Sequence, residues 1–188
     1  MSHHRKGENL MQGRRFISPS HLLIQRGFML KFYDIDEDYV RYLQSIDSQV
    51  PNIHYGTNNK FVCGIVLKVN DIKFFAPISH TTKKYQTSLL IYNRTTPISS
   101  IRFSFMIPAY NEVLTELNFE NISKRDKNYA DLIRAEYDYC SNNKDVIYKK
   151  AHSVYKIGCN KNHRLNYTCC DFKKLEAEYM NYKSKDTN

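Results

Sequence analysis

An α+β fold, a small antiparallel β-barrel elaborated with several α-helices, is predicted by three features of the chain. Short apolar, β-prone runs separated by turn residues fill the region from Leu30 to Ile107. Apolar spacing then becomes helical from Asp126 onward. A length of 188 residues suits one buried core.

The elements follow in order. Met1 to Phe28 is basic, lacks a period and carries Pro19 with several Gly and Ser, so it reads as a tail. The alternative is a start at Met29, because Gln25-Arg26-Gly27-Phe28 is encodable by a purine-rich ribosome-binding sequence. Residues 29–188 form one domain on either reading. Leu30 to Ile35 reads as a strand. Asp36 to Ile46 reads as a helix, with Tyr39, Val40, Leu43 and Ile46 on one stripe and acids in its first turn, and Val50-Pro51-Asn52 ends that unit. Phe61 to Val69 and Ile72 to Ile78 form a hairpin, because Asn70-Asp71 between them tolerates left-handed backbone. Thr87 to Tyr92 and Ser100 to Ile107 continue as strands, parted by a turn over Asn93 to Pro97 and stopped by Pro108. Asp126 to Cys140 and Lys144 to Ile157 read as helices broken at Asn142-Asn143. A third helix starts at Asp171, its N-cap, with Phe172, Leu175 and Tyr179 on one face.

Composition narrows the function. Lys and Arg number 28 against 19 Asp and Glu, a net charge of +9 that favours polyanions. The excess is segregated: Lys60 to Ser104 holds seven basic residues and one acid, and Lys144 to Arg164 holds six and one. Fifteen Tyr and ten Phe interleaved with these cations suit bases stacked beside a neutralised backbone, as in single-stranded RNA. Five cysteines without CxxC spacing argue for reduced thiols. Cys159, His163 and Cys169 match no zinc pattern, so no metal is assigned. No Gly-rich phosphate loop is present, and no nucleotide cofactor is expected. The absence of an apolar run near 20 residues, or of a cleavable leader, predicts a cytoplasmic protein without a membrane partner.

The most suggestive chemistry lies where the apolar run from Lys73 stops at Pro77 and opens into Ser79, His80, Thr81, Thr82, Lys83 and Lys84. Hydroxyl, imidazole and ammonium groups suffice to grip a phosphodiester and move a proton beside it. A plain polar turn has the same composition, and that reading stays open here. RNA needs no metal for cleavage, since its 2′-hydroxyl is an internal nucleophile. Lys60, at the mouth of the hairpin, and the basic cluster of Ser79 to Lys84 reach one phosphate if the loops fold over that end of the barrel. His80 is a candidate proton carrier, histidine being the side chain whose charge changes near neutral pH. No paired carboxylates lie near, which disfavours a two-metal nuclease.

The ordered set KFY (Lys31 to Tyr33), VPN (Val50 to Asn52), Lys60 four residues before Gly64-Ile65-Val66-Leu67, KFFAPIS (Lys73 to Ser79), FMIP (Phe105 to Pro108) and TCCDFKKLEAEY (Thr168 to Tyr179) resembles the ToxN/AbiQ family of type III toxins. The resemblance runs from Met29 to about Tyr182. It implies an SH3-like barrel related to the MazF/Kid toxins, and a metal-independent endoribonuclease leaving a 2′,3′-cyclic phosphate on cellular or phage RNA. It further implies inhibition by a small RNA antitoxin, cut by the toxin from a repetitive precursor and closed with it into a ring-like assembly. Position by position, Tyr39 matches a family tyrosine, Lys60 an active-site lysine, Ser79 the first hydroxyl after Ala-Pro, and Lys83 the lysine that follows. Two departures stand out. His80 occupies the place where the family commonly has a second hydroxyl, and the family tyrosine four residues before the lysine falls on Gly56, with Tyr55 beside it. Tyr39, Thr81, Thr82 and Lys84 would line the RNA path, with Tyr55 standing in for the family tyrosine, and Lys149, Lys150, Lys156, Lys161 and Arg164 would hold the antitoxin backbone. The competing readings are a non-catalytic RNA-binding protein and a MazF-like RNase with a protein antitoxin.

Overall fold

A computed structural model describes residues 30–52, 54, 55, 58, 59 and 61–182. Residues 1–28 with the alternative start at Met29, together with Lys60 and the side chain of Tyr55, lie outside the described residues. Strand β1 (Phe32–Ile35) leads into α1 (Glu37–Ile46). The Asp36 carboxylate accepts the Tyr39 N–H at 2.7 Å and so caps the helix, while Glu37 and Asp38 complement its positive end. β2 (His54–Tyr55) and β3 (Asn58–Asn59) pair with each other. The long hairpin is β4 (Val62–Val69) and β5 (Ile72–Ser79); Asn70 and Asp71 at its tip both adopt positive φ, 49° and 68°, as a turn matched to strand twist requires.

β6 (Ser88–Asn93) and β7 (Thr96–Arg102) make a second hairpin. Its turn is tighter than the sequence suggests, with Arg94 at φ 55°. Pro97 lies inside β7, where only β6 is its neighbour, because β5 reaches β7 no further than Ser100. The expected strand from Ser100 to Ile107 is interrupted by a 3₁₀ turn, Phe103–Phe105, before β8 (Ile107–Pro108). β7 and β8 therefore act as one broken antiparallel partner of β5, meeting it at Ile78-Ser79 and at Phe74-Phe75. A 3₁₀ turn at Asn111–Val113 precedes β9 (Leu114–Glu116). The seven-stranded sheet runs β6-β7-β5-β4-β1-β9 with β8 beside β5. This path is open among the described residues, so the α+β class holds but the hydrogen bonding does not close the expected barrel.

Helices cover the sheet. α2 (Phe119–Arg125) packs on α3 (Lys127–Asn142), which lies against β6; α4 (Lys144–Cys159) crosses β4 and the Phe103–Phe105 turn. A 3₁₀ turn, Asn166–Thr168, leads to α5 (Phe172–Glu178), capped by Asp171, and to a last turn at Tyr179–Asn181. No helix among the described residues is long and apolar enough to cross a membrane. The core holds a ring cluster in which Phe172 stacks on Tyr155 at 5.6 Å and meets Phe74 edge-on at 5.9 Å.

Gly64 shows how close the strands come. A Cβ at that position would lie 2.5 Å from the Lys31 carbonyl oxygen and 2.9 Å from its nitrogen, both backbone atoms of the neighbouring strand segment. It sits at a bulge, one of two register shifts in β4. Gly64→Ala must part β1 from β4, and a loss of about 1–3 kcal/mol in denaturant unfolding is expected.

The C-terminal segment clamps α1. Asp171 N–H donates to Asp47 Oδ2 at 2.6 Å, Lys174 Nζ donates to the Ile46 carbonyl, and the Tyr42 hydroxyl donates to the Glu178 carbonyl at 2.9 Å. Tyr182 completes the contact, its hydroxyl 3.2 Å from Asp36 Oδ1 and its ring 5.3 Å from that of Tyr39. The bond from Lys174 satisfies a helix-end carbonyl that α1 cannot pair internally.

Candidate active site

Ser79 is the last residue of β5 and pairs with Ser100 of β7. Directly opposed residues share a face, and alternation puts Arg102 on that face two positions along β7. The chain then turns away through a bend at His80 and returns at Tyr85, where the Ser88 hydroxyl holds the Tyr85 N–H at 3.2 Å. Thr81 is half-buried and its Oγ1 accepts the Lys83 N–H at 3.4 Å, while Thr82, Lys83 and Lys84 are exposed. Two cations meet the Tyr85 ring: Lys83 Nζ at 5.6 Å and Arg102 Cζ at 4.8 Å from its centroid. Arg102 also lies 4.9 Å from the Phe105 ring, and its Nε is buried without a hydrogen-bond partner.

His80 is exposed, with its ring centroid 6.4 Å from that of Tyr129 on α3. Behind it α3 buries Glu136 completely, with neither carboxylate oxygen hydrogen-bonded. Burial pushes this carboxyl up to about 7; the nearby Ser99 hydroxyl draws it part of the way back, although their geometry falls short of a full hydrogen bond. Ser99 is on the opposite face of β7 from Ser100 and Arg102. Tyr129, desolvated and facing the Glu136 charge, is raised to about 12.

The second basic stretch reaches the same loop. Arg164, beyond the end of α4, donates from Nη2 to Gln86 Oε1 at 3.3 Å, joining segments 78 residues apart. Lys149, Lys156 and Lys161 are exposed and Lys150 is half-buried, with Lys149 and Lys156 two turns apart on one face of α4. Lys60 is outside the described residues, but the carbonyl of Phe61, the next residue, accepts the Ile78 N–H at 3.2 Å beside the Ser79 end of β5.

One expected RNA contact is corrected. Tyr39 is fully buried, donates its hydroxyl to the Pro108 carbonyl at 2.7 Å and packs edge-on against Tyr110 and Tyr182. Desolvation raises its phenol well above the usual range. It supports the core and has no surface to offer a nucleotide. The α1 stripe already predicted this placement, against the family match. Conversely, Arg102, Tyr85 and Glu136 escaped the sequence reading. Arg102 is a single cation in an apolar run, and Glu136 a carboxylate on the helix face that also carries Ile133 and Cys140. The five thiols are free; His163 Nδ1 accepts the Leu165 N–H and Cys169 Sγ donates to the Leu165 carbonyl, both within the local turn.

Comparison with known proteins agrees with this architecture. The family model for the toxin ToxN of type III toxin-antitoxin systems matches residues 31–180. The chain is 27% identical over 166 residues to the endoribonuclease ToxN of Bacillus thuringiensis subsp. kurstaki, covering 83% of this chain and 86% of the relative. It is 26% identical over 174 residues to the endoribonuclease AbiQ of Lactococcus lactis subsp. lactis, covering 84% and 92%. A solved structure concerned with selective toxin inhibition by a non-coding RNA pseudoknot superposes with a TM-score of 0.76 at 28% identity, over 84% of this chain and all of that one. With the match extending over nearly every described element, the chain belongs to the ToxN family of type III toxin-antitoxin toxins.

Proposed function

We propose that the protein, an endoribonuclease toxin of a type III toxin-antitoxin system, cuts single-stranded RNA at the Ser79 to Lys84 loop without a metal. The 2′-oxygen forms a bond to the adjacent phosphorus and the bond to the 5′-oxygen breaks, leaving a 2′,3′-cyclic phosphate. His80 takes the proton from the 2′-hydroxyl, and a protonated group returns one to the leaving 5′-oxygen. Lys60 and Lys83 neutralise the phosphorane, and Ser79 orients the 2′-hydroxyl or a phosphate oxygen. The observation that carries this reading is the Arg164–Gln86 hydrogen bond, which gathers both basic stretches at one exposed loop. Tyr55, Thr81, Thr82 and Lys84 flank the substrate.

The antitoxin is a small folded RNA whose backbone lies along Lys149, Lys150, Lys156, Lys161 and Arg164. It closes with the toxin into a ring-like assembly in the cytoplasm and holds the toxin inactive. The bulged β4 and the divided partnership of β5 support an opened version of the SH3-like MazF/Kid barrel as the scaffold.

Purified protein incubated with a defined RNA and EDTA is expected to produce new ends bearing 2′,3′-cyclic phosphate. Loss of cutting on chelation, or ends without a cyclic phosphate, rejects the mechanism. In the same assay, reversing Lys149 and Lys156 to Glu should weaken inhibition by the antitoxin RNA and flatten its salt dependence. Unaltered inhibition rejects the proposed α4 contact.

A further inference from the structure

We infer that Arg102 and Lys83 form an anion site around the Tyr85 ring that receives an RNA phosphate beside Ser79, with Arg102 the positioning residue. This inference rests on the proposed reaction and names a group that neither the loop sequence nor the family match singles out. Both cations lie within cation–π range of one ring, Lys83 Nζ at 5.6 Å and Arg102 Cζ at 4.8 Å. Their charges are thus no more than about 10 Å apart, the screening length at 0.1 M salt. Among the described residues no carboxylate pairs with either of them. Two positive charges flanking one ring thus lie within reach of a single incoming anion.

The guanidinium is also prepared for one geometry. Tyr85 and Phe105 hold it at 4.8 and 4.9 Å, and the Ser88 hydroxyl fixes the Tyr85 backbone. Stacking uses the face of the guanidinium and leaves its N–H edge for hydrogen bonding. Its Nε is buried without a partner, so the fork open to an anion is the pair of terminal Nη groups. Arg102 lies on the β7 face that carries Ser100, the register partner of Ser79. A phosphate at this edge accepts from a planar fork of donors, the arrangement in which arginine surpasses lysine.

The test uses a fully 2′-O-methyl RNA oligonucleotide, which lacks the attacking hydroxyl and stays intact. Arg102→Met keeps the stem and its ring packing. It is expected to weaken binding at least several-fold and to reduce the slope of log K against log salt by about 0.7, the value for one single-strand phosphate contact. Arg102→Lys should retain the slope but cleave ordinary RNA more slowly, mainly through kcat. An Arg102→Met protein with the parent's affinity and salt slope overturns the inference, as does a fall in Tm with the slope unchanged, which would make Arg102 a packing residue alone. If the parent binds with the expected slope but never cuts RNA, the reaction fails while the phosphate site stands.

Discussion

His80→Ala is expected to lower the single-turnover rate of RNA cleavage by about 10²- to 10⁴-fold, the usual contribution of a positioned proton carrier. Lys60→Ala should cost about 10²- to 10³-fold, as for the loss of one group stabilising transition-state charge. His80 is exposed, its ring tilted at 47° to that of Tyr129 with centroids 6.4 Å apart, so its truncation removes little packing. Stability should stay within about 0.5 kcal/mol of the parent, which lets rates be compared at matched folding. Undiminished cleavage by both variants would sink the assigned chemistry. His80→Ser, which restores the hydroxyl resembling the family pattern, separates two roles: recovery with Ser assigns the position to hydrogen bonding, and continued loss assigns it to proton transfer.

Glu136→Gln is expected to change stability rather than cleavage. Burial lifts the folded carboxyl from 4.5 to about 7, so between those values the folded protein keeps a proton that the unfolded chain has released. The parent is therefore most stable, as far as this group decides, below pH 4.5, and loses about 3 kcal/mol as pH rises to 7. The amide carries no charge to desolvate and should erase that fall. At pH 8 the variant should be about 3 kcal/mol more stable, a Tm increase of about 6–12 °C for a domain of this size. Denaturant titrations at pH 5 and pH 8 decide it: equal differences from the parent at both pH values contradict a buried carboxylate. The orphaned oxygens behind β7 thus make Glu136 a standing cost at neutral pH.

What was legible in the sequence was local. Asp36, Asp126 and Asp171 each accept the N–H three residues on; the sequence names only Asp171 as a cap, the other two being read as the first residues of their helices. Asn70 and Asp71 revealed the hairpin because their side chains tolerate the positive φ that the turn needs. The missing parts depend on distant neighbours. β9 has three residues, two of them exposed, and becomes a strand only because β1 offers its free edge. The 3₁₀ turn at Phe103–Phe105 hides inside an apolar run, and it is the turn that places Phe105 beside Arg102. The Ser79 to Lys84 cluster was visible as composition, but its union with Arg164 required the fold to bring residue 164 to residue 86. Tyr39 shows the converse, a residue matched by family position whose burial was written in the helical stripe around it.

The clamp of residues 171–182 on α1 sets an order of events during synthesis. The carbonyl of Ile46, the Oδ2 of Asp47 and the side chain of Tyr42 meet partners in a segment more than 120 residues later. Such sequence-distant contacts form late. A nascent chain halted before residue 171 leaves the C-terminal end of α1 uncovered, and a frameshift or stop there should yield a product that is degraded instead of one that cuts RNA. For a protein harmful to its own cell, this makes the synthesis of residues 171–182 a checkpoint: the enzyme is armed only once that segment has been made.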